Sequence, residues 1–320
     1  MAKSSGLNRT GVLARVTVAA VTAALVGTTT AAAAADAPQR TIAGVEQTSG
    51  AGAFSAASAA TAAPVNYLHG VNSAGVIWRY EPVGGGAIQR LNTQSGSGWN
   101  YDKHFSQADM DGNGGANGIY TVNRGSLTYT PFGGSPRFIG GGWGIYNEVF
   151  SAANTGGGVA DDVLARDGSG VLWHYLGHGN GSLTQRYRIG SGWNQYTQIA
   201  GKGDISGDGR PDIVARDRNG VLWLYKGTGN YRAPFATRTR IGSGWNTFNA
   251  LVSSGDLNFD GKADLVARDG AGALWFYGSS TTGRLTKRRR SRRRRCARPA
   301  ARPTAAPRCP SGPAPPGRPR

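Results

Sequence analysis

The amino-acid sequence predicts an all-β protein, a β-propeller of four-stranded blades, and three observations support this fold class. The body of the chain repeats with a period of about 50 residues, which is typical of propellers and other repeat architectures. Each repeat contains short apolar segments separated by Gly, Asn and Asp, the pattern of antiparallel strands joined by tight turns. The 51 Gly residues disfavour long helices, because each Gly inside a helix costs about 1 kcal/mol.

Two sequence markers locate the elements of each repeat. A segment containing Trp and Tyr, expected to be the third strand, occurs at 76–80, 171–175, 221–225 and 273–277, with a weaker copy at 126–129. The second marker is Gly-Ser-Gly-Trp-Asn at 96–100, 190–194 and 242–246, with a degraded copy at 141–143. The copies of the Trp/Tyr segment predict about five visible blades. The chain enters in mid-blade, near Leu68, which places an N-terminal strand where it can close the ring against the last blade.

The late repeats show the order of elements most clearly. In the last repeat, an apolar strand at 248–253 precedes an Asp-rich loop. A second strand at 264–268, a Gly-containing turn at 269–272 and the Trp/Tyr strand at 273–277 follow. The fourth strand is intact one repeat earlier, at 237–241. The sequence therefore predicts four strands in each complete blade.

The ends of the chain differ from this body in composition. Lys3, Arg9 and Arg15 precede an apolar run at 16–26 and then small residues up to Ala35, the arrangement of a secretory signal peptide. The run is too short to span a bilayer, so we expect a secreted, extracellular protein with no membrane span after signal cleavage. The predicted segments are a signal peptide at 1–35, an Ala/Ser/Thr-rich linker at 36–65, the propeller at 66–286 and a disordered Arg/Pro-rich tail at 287–320.

The net charge of +18 lies mainly in the tail, which contains 13 basic residues and no acid. The body is nearly neutral, so we expect it to bind no nucleic acid. The tail begins in the middle of a repeat, directly after Leu285 and Thr286. It is either a polyanion-binding arm or the product of a reading-frame shift, and in the second case the chain is truncated from a larger ring. Cys296 and Cys309 both lie in the tail, so no disulfide framework stabilises the body.

The loop between the first and second predicted strands carries oxygen side chains at its positions 1, 3, 5 and 9 and Gly at position 6. This spacing can wrap a hard cation, and the carbonyl at position 7 offers a further oxygen. The alternative is an Asx-rich turn capped by its own side chains. Because three such loops stand in register, we expect Ca²⁺. The expected metal ligands are Asp204, Ser206, Asp208 and Asp212; Asp256, Asn258, Asp260 and Asp264; and, as the weakest set, Asp109, Asp111, Asn113 and Asn117.

One further loop, at 154–162, has lost most of its oxygen side chains, and we expect it to bind no metal.

The Asp-rich loops, followed by Asp-Ile-Val-Ala-Arg-Asp at 212–217, resemble FG-GAP/VCBS repeats. Such repeats form the calcium-bearing propeller of integrin α-subunits and occur in secreted actinobacterial proteins. The resemblance extends over about 66–286 and is most specific at 200–280; it implies the propeller fold and the metal ligands given above. Gly-Trp-Asn followed by the Trp/Tyr segment is similar, more loosely, to five-bladed lectins of the tachylectin type. Neither resemblance identifies a ligand.

The sequence contains no nucleophile elbow, no HExxH zinc motif and no complete phosphate loop, so we predict that the protein is not an enzyme. The leading hypothesis is a monomeric recognition module whose partners are glycans or a cell-surface protein. The alternatives are an extracellular hydrolase or its accessory domain, and a protein–protein adhesion module.

The Trp residues of the Gly-Trp marker are the candidate sugar-binding residues, because aromatic faces suit stacking against sugar rings. The alternative is that a Trp at the same place in every blade packs between blades. These residues are Trp99, Trp143, Trp193 and Trp245.

Overall fold

The computed structural model describes residues 63–94, 98–99, 104–158, 160–286 and 289–290. The predicted signal peptide at 1–35, most of the linker and the tail beyond 290 lie outside the described residues.

Five antiparallel sheets follow one another along the chain and form the blades of a β-propeller, which confirms the predicted fold class. Four sheets have four strands each, and the first has three in the described part of the chain. In chain order the strands of blades I and II are β1 (Leu68–Val71), β2 (Ile77–Pro82) and β3 (Ile88–Gln94), then β4 (His104–Ala108), β5 (Gly118–Asn123), β6 (Ser126–Pro131) and β7 (Arg137–Gly140).

The last three blades have the same order of elements. Their strands are β8 (Tyr146–Phe150), β9 (Val163–Asp167), β10 (Leu172–Tyr175) and β11 (Tyr187–Gly190); β12 (Tyr196–Ala200), β13 (Ile213–Asp217), β14 (Leu222–Tyr225) and β15 (Thr239–Gly242); and β16 (Phe248–Val252), β17 (Leu265–Asp269), β18 (Leu274–Tyr277) and β19 (Arg289–Arg290). Each of these blades is entered through a one-turn 3₁₀ helix at the Trp of the Gly-Trp marker: Trp143–Ile145, Trp193–Gln195 and Trp245–Thr247.

The folded body extends beyond both predicted boundaries. Ala63, assigned to the linker from the sequence, donates a backbone hydrogen bond to Gly261 O at 3.2 Å, which joins the start of the body to blade V. The fourth strand of blade V is β19, which lies in the segment assigned to the tail. These two Arg residues carry no apolar signal in the sequence, and their backbones pair with Phe276 and Trp275 of β18.

The second strand of each complete blade is the centre of the core. In blade IV, Ile213, Val214 and Ala215 have no exposed surface, because β13 lies between two strands of its own sheet and two neighbouring blades. One apolar cluster joins Leu164 of blade III to Trp193 of the marker, and both pack with Ile213. Apolar burial of this kind between blades is what stabilises a repeat architecture whose units cannot fold alone.

Glycine permits the tight entry into each blade. Gly192 and Gly244 have φ of 87° and 83°, in the left-handed region that side chains disfavour. The Trp that follows each of them donates its backbone N–H to the turn between second and third strands, as in the 2.9 Å bond from Trp193 to Gly170 O. The Gly-Trp marker therefore fixes how one blade leads into the next.

The first strands of blades II to V, together with β1, line a central cavity of about 230 Å³. In the part of the chain that the structure describes, no helix has the length and apolar character needed to cross a membrane.

Candidate metal site

The Asp-rich loops connect the first and second strands in blades II, IV and V, so they lie at the same end of the propeller. The position-1 carboxylate turns inward and accepts backbone N–H groups of its own loop. In blade IV, Asp204 accepts from Gly207 at 2.6 Å and, through its other oxygen, from Gly209 at 2.6 Å. In blade V, Asp256 accepts from Phe259 at 2.7 Å and Gly261 at 2.6 Å. The carboxylate therefore shapes the turn around itself.

The position-9 carboxylate ties the loop to the rest of its blade. Asp212 accepts from the N–H of Ser206 at 2.6 Å and, through the other oxygen, from Gly227 beyond the third strand at 2.8 Å. Asp264 does the same with Leu257 at 2.9 Å and Ser279 at 3.1 Å. The sequence offered a self-capped Asx turn as the alternative to a metal loop, but it did not predict that the position-9 carboxylate also bonds to the backbone beyond the third strand.

Burial changes the acidity of both position-9 residues. Removal from water raises the pKa of Asp212 to about 6, and the charge of Asp208 adds to the rise while backbone hydrogen bonds oppose it. The pKa of Asp264 is raised to about 7, again by burial first, with the charges of Asp256 and Asp260 contributing. Each carboxyl group is therefore costly to ionise unless a positive charge lies beside it.

In blade IV three carboxylates converge. Asp204, Asp208 and Asp212 each offer an oxygen, and these oxygens all lie within 4.8 Å of one another. Ser206, at position 3, is buried, and its hydroxyl group interacts with the Asp212 carboxylate and favours the ionised form of that group. The donor set consists of oxygen alone, which suits a hard divalent cation.

The blade V loop repeats the pattern with less convergence. Asn258 Oδ1, the position-3 oxygen, is buried without a partner. Asp260 accepts from the Lys262 N–H at 3.1 Å, as Asp208 does from the Arg210 N–H at 3.1 Å. Asp260 also accepts from Asn258 Nδ2 at 3.0 Å, whereas Asp208 lies 3.7 Å from Lys226 Nζ. Within the described residues, only the blade IV loop brings three acidic groups together so closely.

The blade II loop has the weakest donor set, as expected from its composition. Asp109 accepts from the N–H of Gly112 at 2.9 Å and of Gly114 at 2.7 Å, which matches the position-1 residues of the other loops. At position 9 the amide oxygen of Asn117 accepts from the Met110 N–H at 2.9 Å. The amide supplies no charge at the position where Asp212 supplies one.

The degraded loop of blade III is held together by a buried histidine of the third strand, His174. His174 Nε2 lies 3.1 Å from Asp162 Oδ2 and 3.0 Å from Thr155 Oγ1, and all three side chains are buried. His174 stands where Leu224 and Phe276 stand in the next two blades. The sequence contained one indication of this contact: blade III has a His at this position and is also the blade whose loop has lost most of its oxygen side chains.

A buried ion pair near the central cavity was also missed. Lys202 Nζ contacts the Asp161 carboxylate and donates to Gln107 O at 2.9 Å and to Ser151 Oγ at 3.3 Å. These partners belong to blades II and III, whereas Lys202 belongs to blade IV. The lysine therefore connects three blades around the cavity.

The four marker Trp residues are buried, with exposed fractions of 3% to 7%. The ring centroid of Trp193 lies 4.8 Å from that of Tyr225, and that of Trp245 lies 4.6 Å from that of Tyr277. Trp143 packs on Tyr175 in the same way. These contacts favour the packing alternative over sugar stacking, since little ring face reaches solvent.

The third-strand Trp residues are covered by arginine. Trp173 Nε1 donates to Asp167 at 2.8 Å, and the Arg186 guanidinium lies 4.2 Å from the centre of its ring. Trp223 and Arg238 repeat the cation–π contact at 4.1 Å. These rings are therefore engaged within their own blades.

Part of the chain matches a known family of repeats. Residues 204–267, which include the loops of blades IV and V, match the family model of the FG-GAP-like repeat. The resemblance to FG-GAP repeats is thus confirmed for this part of the chain. A search of curated protein sequences gave no match.

Similar solved structures include lectins. The BP39L lectin from Burkholderia pseudomallei is 14% identical, with 71% of this chain and 69% of that chain covered and a TM-score of 0.47. A mutant of the Aleuria aurantia lectin in complex with α-methyl-L-fucoside is 12% identical over 72% of this chain and 79% of that chain, with a TM-score of 0.38. A symmetrical protein from work on de novo evolutionary emergence is 18% identical over 69% and 90%, with a TM-score of 0.47.

Proposed function

We propose that this protein is a secreted, non-catalytic propeller that binds Ca²⁺ in the loops of blades IV and V and acts as a recognition module. The observation that carries the proposal is the convergence of Asp204, Asp208 and Asp212 in one loop. A bound cation would offset the repulsion among these carboxylates.

The chemistry of the loops favours calcium over other metals. Every candidate ligand is an oxygen, whereas zinc sites in proteins usually contain His or Cys. Gly209 and Gly261, at position 6, have φ of 85° and 84°, which allows the sharp turn that a calcium loop needs. The loops give the ion a structural role, because the same carboxylates hold the turn through backbone hydrogen bonds and are not free for acid–base catalysis.

Titration calorimetry of the metal-free chain with Ca²⁺ tests the proposal. We expect Asp208→Asn to weaken binding at the blade IV site about tenfold or more, since the charge of the ligands sets calcium affinity. Glu81→Gln is the matched control, because it removes one carboxylate of β2 in blade I, outside the Asp-rich loops, and it should leave binding unchanged. If the folded chain takes up no Ca²⁺ at all, the loops are Asx turns and the proposal is wrong.

Carbohydrate recognition is a second candidate, favoured by an exposed aromatic pair rather than by the marker Trp residues. Tyr187 and Tyr231 are 37% and 36% exposed, with ring centroids 5.6 Å apart, and Arg232 lies over the Tyr231 ring. A glycan array with and without EDTA tests this function. Tyr231→Ala should abolish any glycan signal, whereas the same change at Phe138, which is 69% exposed in blade II, should not.

A further inference from the structure

The hairpin between the third and fourth strands is longer in blade IV than in its two neighbours. The β-bridge that closes it encloses residues 228–234, whereas the equivalent bridges enclose 178–182 in blade III and 280–284 in blade V. The blade IV hairpin therefore contains two additional residues. An insertion confined to one repeat often lies on the binding face of a repeat protein, so the side chains that it adds are candidates for contact with a ligand.

The additional length forms a β-turn that carries Tyr231 and Arg232. Asn230 O accepts a hydrogen bond from the Ala233 N–H at 3.0 Å, which places Tyr231 and Arg232 at the two central positions of the turn. The Tyr231 carbonyl oxygen lies 3.3 Å from Nδ1 of His174, a buried side chain of blade III. The turn is therefore attached to the neighbouring blade, and its two central side chains are exposed beside the junction of the blades.

Tyr231 meets a tyrosine of blade III across this junction. Its ring centroid lies 5.6 Å from that of Tyr187 in β11, at an interplanar angle of 73°, and both rings are exposed. The residues that correspond to Tyr187 in strand register are Arg137 in β7 and Thr239 in β15. The aromatic pair is therefore particular to the junction of blades III and IV. This junction lies within residues 160–286, which the structure describes without a gap.

The Arg232 guanidinium lies at the hydroxyl edge of the Tyr231 ring. Its Nε donates to Tyr231 Oη at 2.9 Å, and its Cζ is 5.4 Å from the ring centre. Within the described part of the chain, no carboxylate pairs with this guanidinium, and its Nη1 and Nη2 have no acceptor. By contrast, Nη1 of Arg238 in the same blade donates to Gln195 Oε1 at 2.9 Å. Arg232 therefore offers two terminal amino groups to a ligand beside an exposed aromatic ring.

We propose that Tyr187, Tyr231 and Arg232 bind a hexuronic acid, a pyranose sugar that carries a carboxylate on its ring. This proposal deepens carbohydrate recognition, the second candidate function, and rests on it. The apolar face of the sugar would pack on the exposed tyrosine rings, whose faces are apolar and electron-rich. The equatorial carboxylate would then project past the ring edge, where Arg232 Nη1 and Nη2 can donate to both of its oxygens.

The charge of the site favours an acidic sugar over a neutral sugar and over a polyanion. A neutral sugar leaves the Arg232 guanidinium without an anion, whereas a carboxylate is a charge-assisted, bidentate partner. A polyanion gains its affinity from many basic contacts, and a single contact gives only a shallow salt dependence. The site therefore differs from the Arg-rich tail in the ligand that it selects.

Two small glycosides that differ at one carbon test the proposal with the full chain. Methyl β-D-glucuronide carries a carboxylate where methyl β-D-glucoside carries a hydroxymethyl group, and chemical-shift titration by NMR measures the dissociation constant of each. We expect the glucuronide to bind about tenfold more tightly, because charge-assisted hydrogen bonds are stronger than neutral ones. Arg232→Gln should abolish this preference. Arg240→Gln is the matched control, because it removes an exposed Arg from β15 of the same blade, and it should leave the preference intact.

The outcomes separate the choice of sugar from carbohydrate recognition as such. Equal binding of the two glycosides, or a preference that survives Arg232→Gln, would overturn the assignment of the carboxylate and leave carbohydrate recognition in place. A preference lost equally in Arg240→Gln would show a general effect of charge and would also overturn the proposal. If neither glycoside binds, the proposal is wrong, and the glycan array decides whether carbohydrate recognition fails with it.

Discussion

At the scale of single residues, the position-9 carboxylates both hold the loop and offer oxygen ligands to a metal. Their raised pKa values affect each of these roles differently. Asp264 and Asp212 hold the loop through backbone hydrogen bonds, and both are also ligands of the proposed metal sites. Their burial raises the pKa of each above the ordinary value of an aspartate, to about 7 and about 6. A proton and a cation therefore compete for the same oxygens.

This competition predicts opposite effects of pH with and without calcium. Because the pKa of Asp264 is raised in the folded state, its contribution to stability is fully present below about pH 4 and is lost as the pH rises through about 7. In EDTA, calorimetry should show that Asp264→Asn removes part of the stability gained when the pH falls from 7.5 to 5. With saturating Ca²⁺, which requires the ionised form, acidification over this range should instead lower the melting midpoint.

The comparison with Asp264→Asn is needed because another group acts in the opposite direction. Burial, with a contribution from the charge of Arg79, lowers the pKa of His69 to about 3, so protonation of this residue destabilises the fold in acid. His69 is present in both proteins, and its effect cancels in their difference. Identical pH profiles for the two proteins would contradict a raised pKa at Asp264.

At the scale of elements, the buried lysine predicts a strong coupling between blades. Lys202→Met leaves the Asp161 carboxylate buried without a cation, and such a change typically costs about 3–5 kcal/mol. Asp161→Asn added to Lys202→Met removes the uncompensated charge and should restore part of the free energy of unfolding. Urea unfolding of the two single variants and the double variant measures the coupling, and strictly additive losses would contradict it.

The Gly-Trp marker gives a second prediction at this scale. Trp193→Ala empties a buried aromatic site between blades III and IV, and losses of this type cost about 3–5 kcal/mol. Trp223→Phe is the comparison, since it keeps a ring on the third strand and loses one hydrogen bond to Asp217, worth about 1 kcal/mol. Chemical unfolding should show a larger loss of stability for Trp193→Ala than for Trp223→Phe. A Trp193→Ala protein that keeps full stability but loses glycan binding would restore the sugar-stacking hypothesis.

These elements also show which features the sequence could predict. The strands and turns were predictable because alternation, Gly positions and the repeat period act locally and recur in several copies. The role of Trp193 was not, because a repeated aromatic residue suits stacking and packing equally until its burial is known. The pairing of Lys202 with Asp161 was not predictable either, since it joins residues 41 positions apart through the curvature of the ring. Lys202 stands where the next blade has Ser254, so the repeat pattern gave no partner for it.

At the scale of the whole molecule, the charge and the fold occupy different parts of the chain. Residues 291–320 contain nine of the basic residues and no acid, whereas the propeller they follow is nearly neutral. The fourth strand of blade V nevertheless consists of Arg289 and Arg290, paired with Phe276 and Trp275. The described part of blade V therefore includes two residues of the segment predicted as the tail.

Two truncations separate the contribution of this strand from that of the tail. A chain ending at Arg290 keeps β19 and loses nine positive charges, so we expect an unchanged melting midpoint and unchanged calcium affinity. It should also lose any salt-sensitive retention on heparin, because each basic contact with a polyanion releases counterions and adds to the salt dependence. A chain ending at Thr286 additionally loses β19, which exposes the edge of β18, and it should melt at a lower temperature than the longer truncation. Heparin retention that survives removal of 291–320 would place the polyanion site in the propeller and contradict this division.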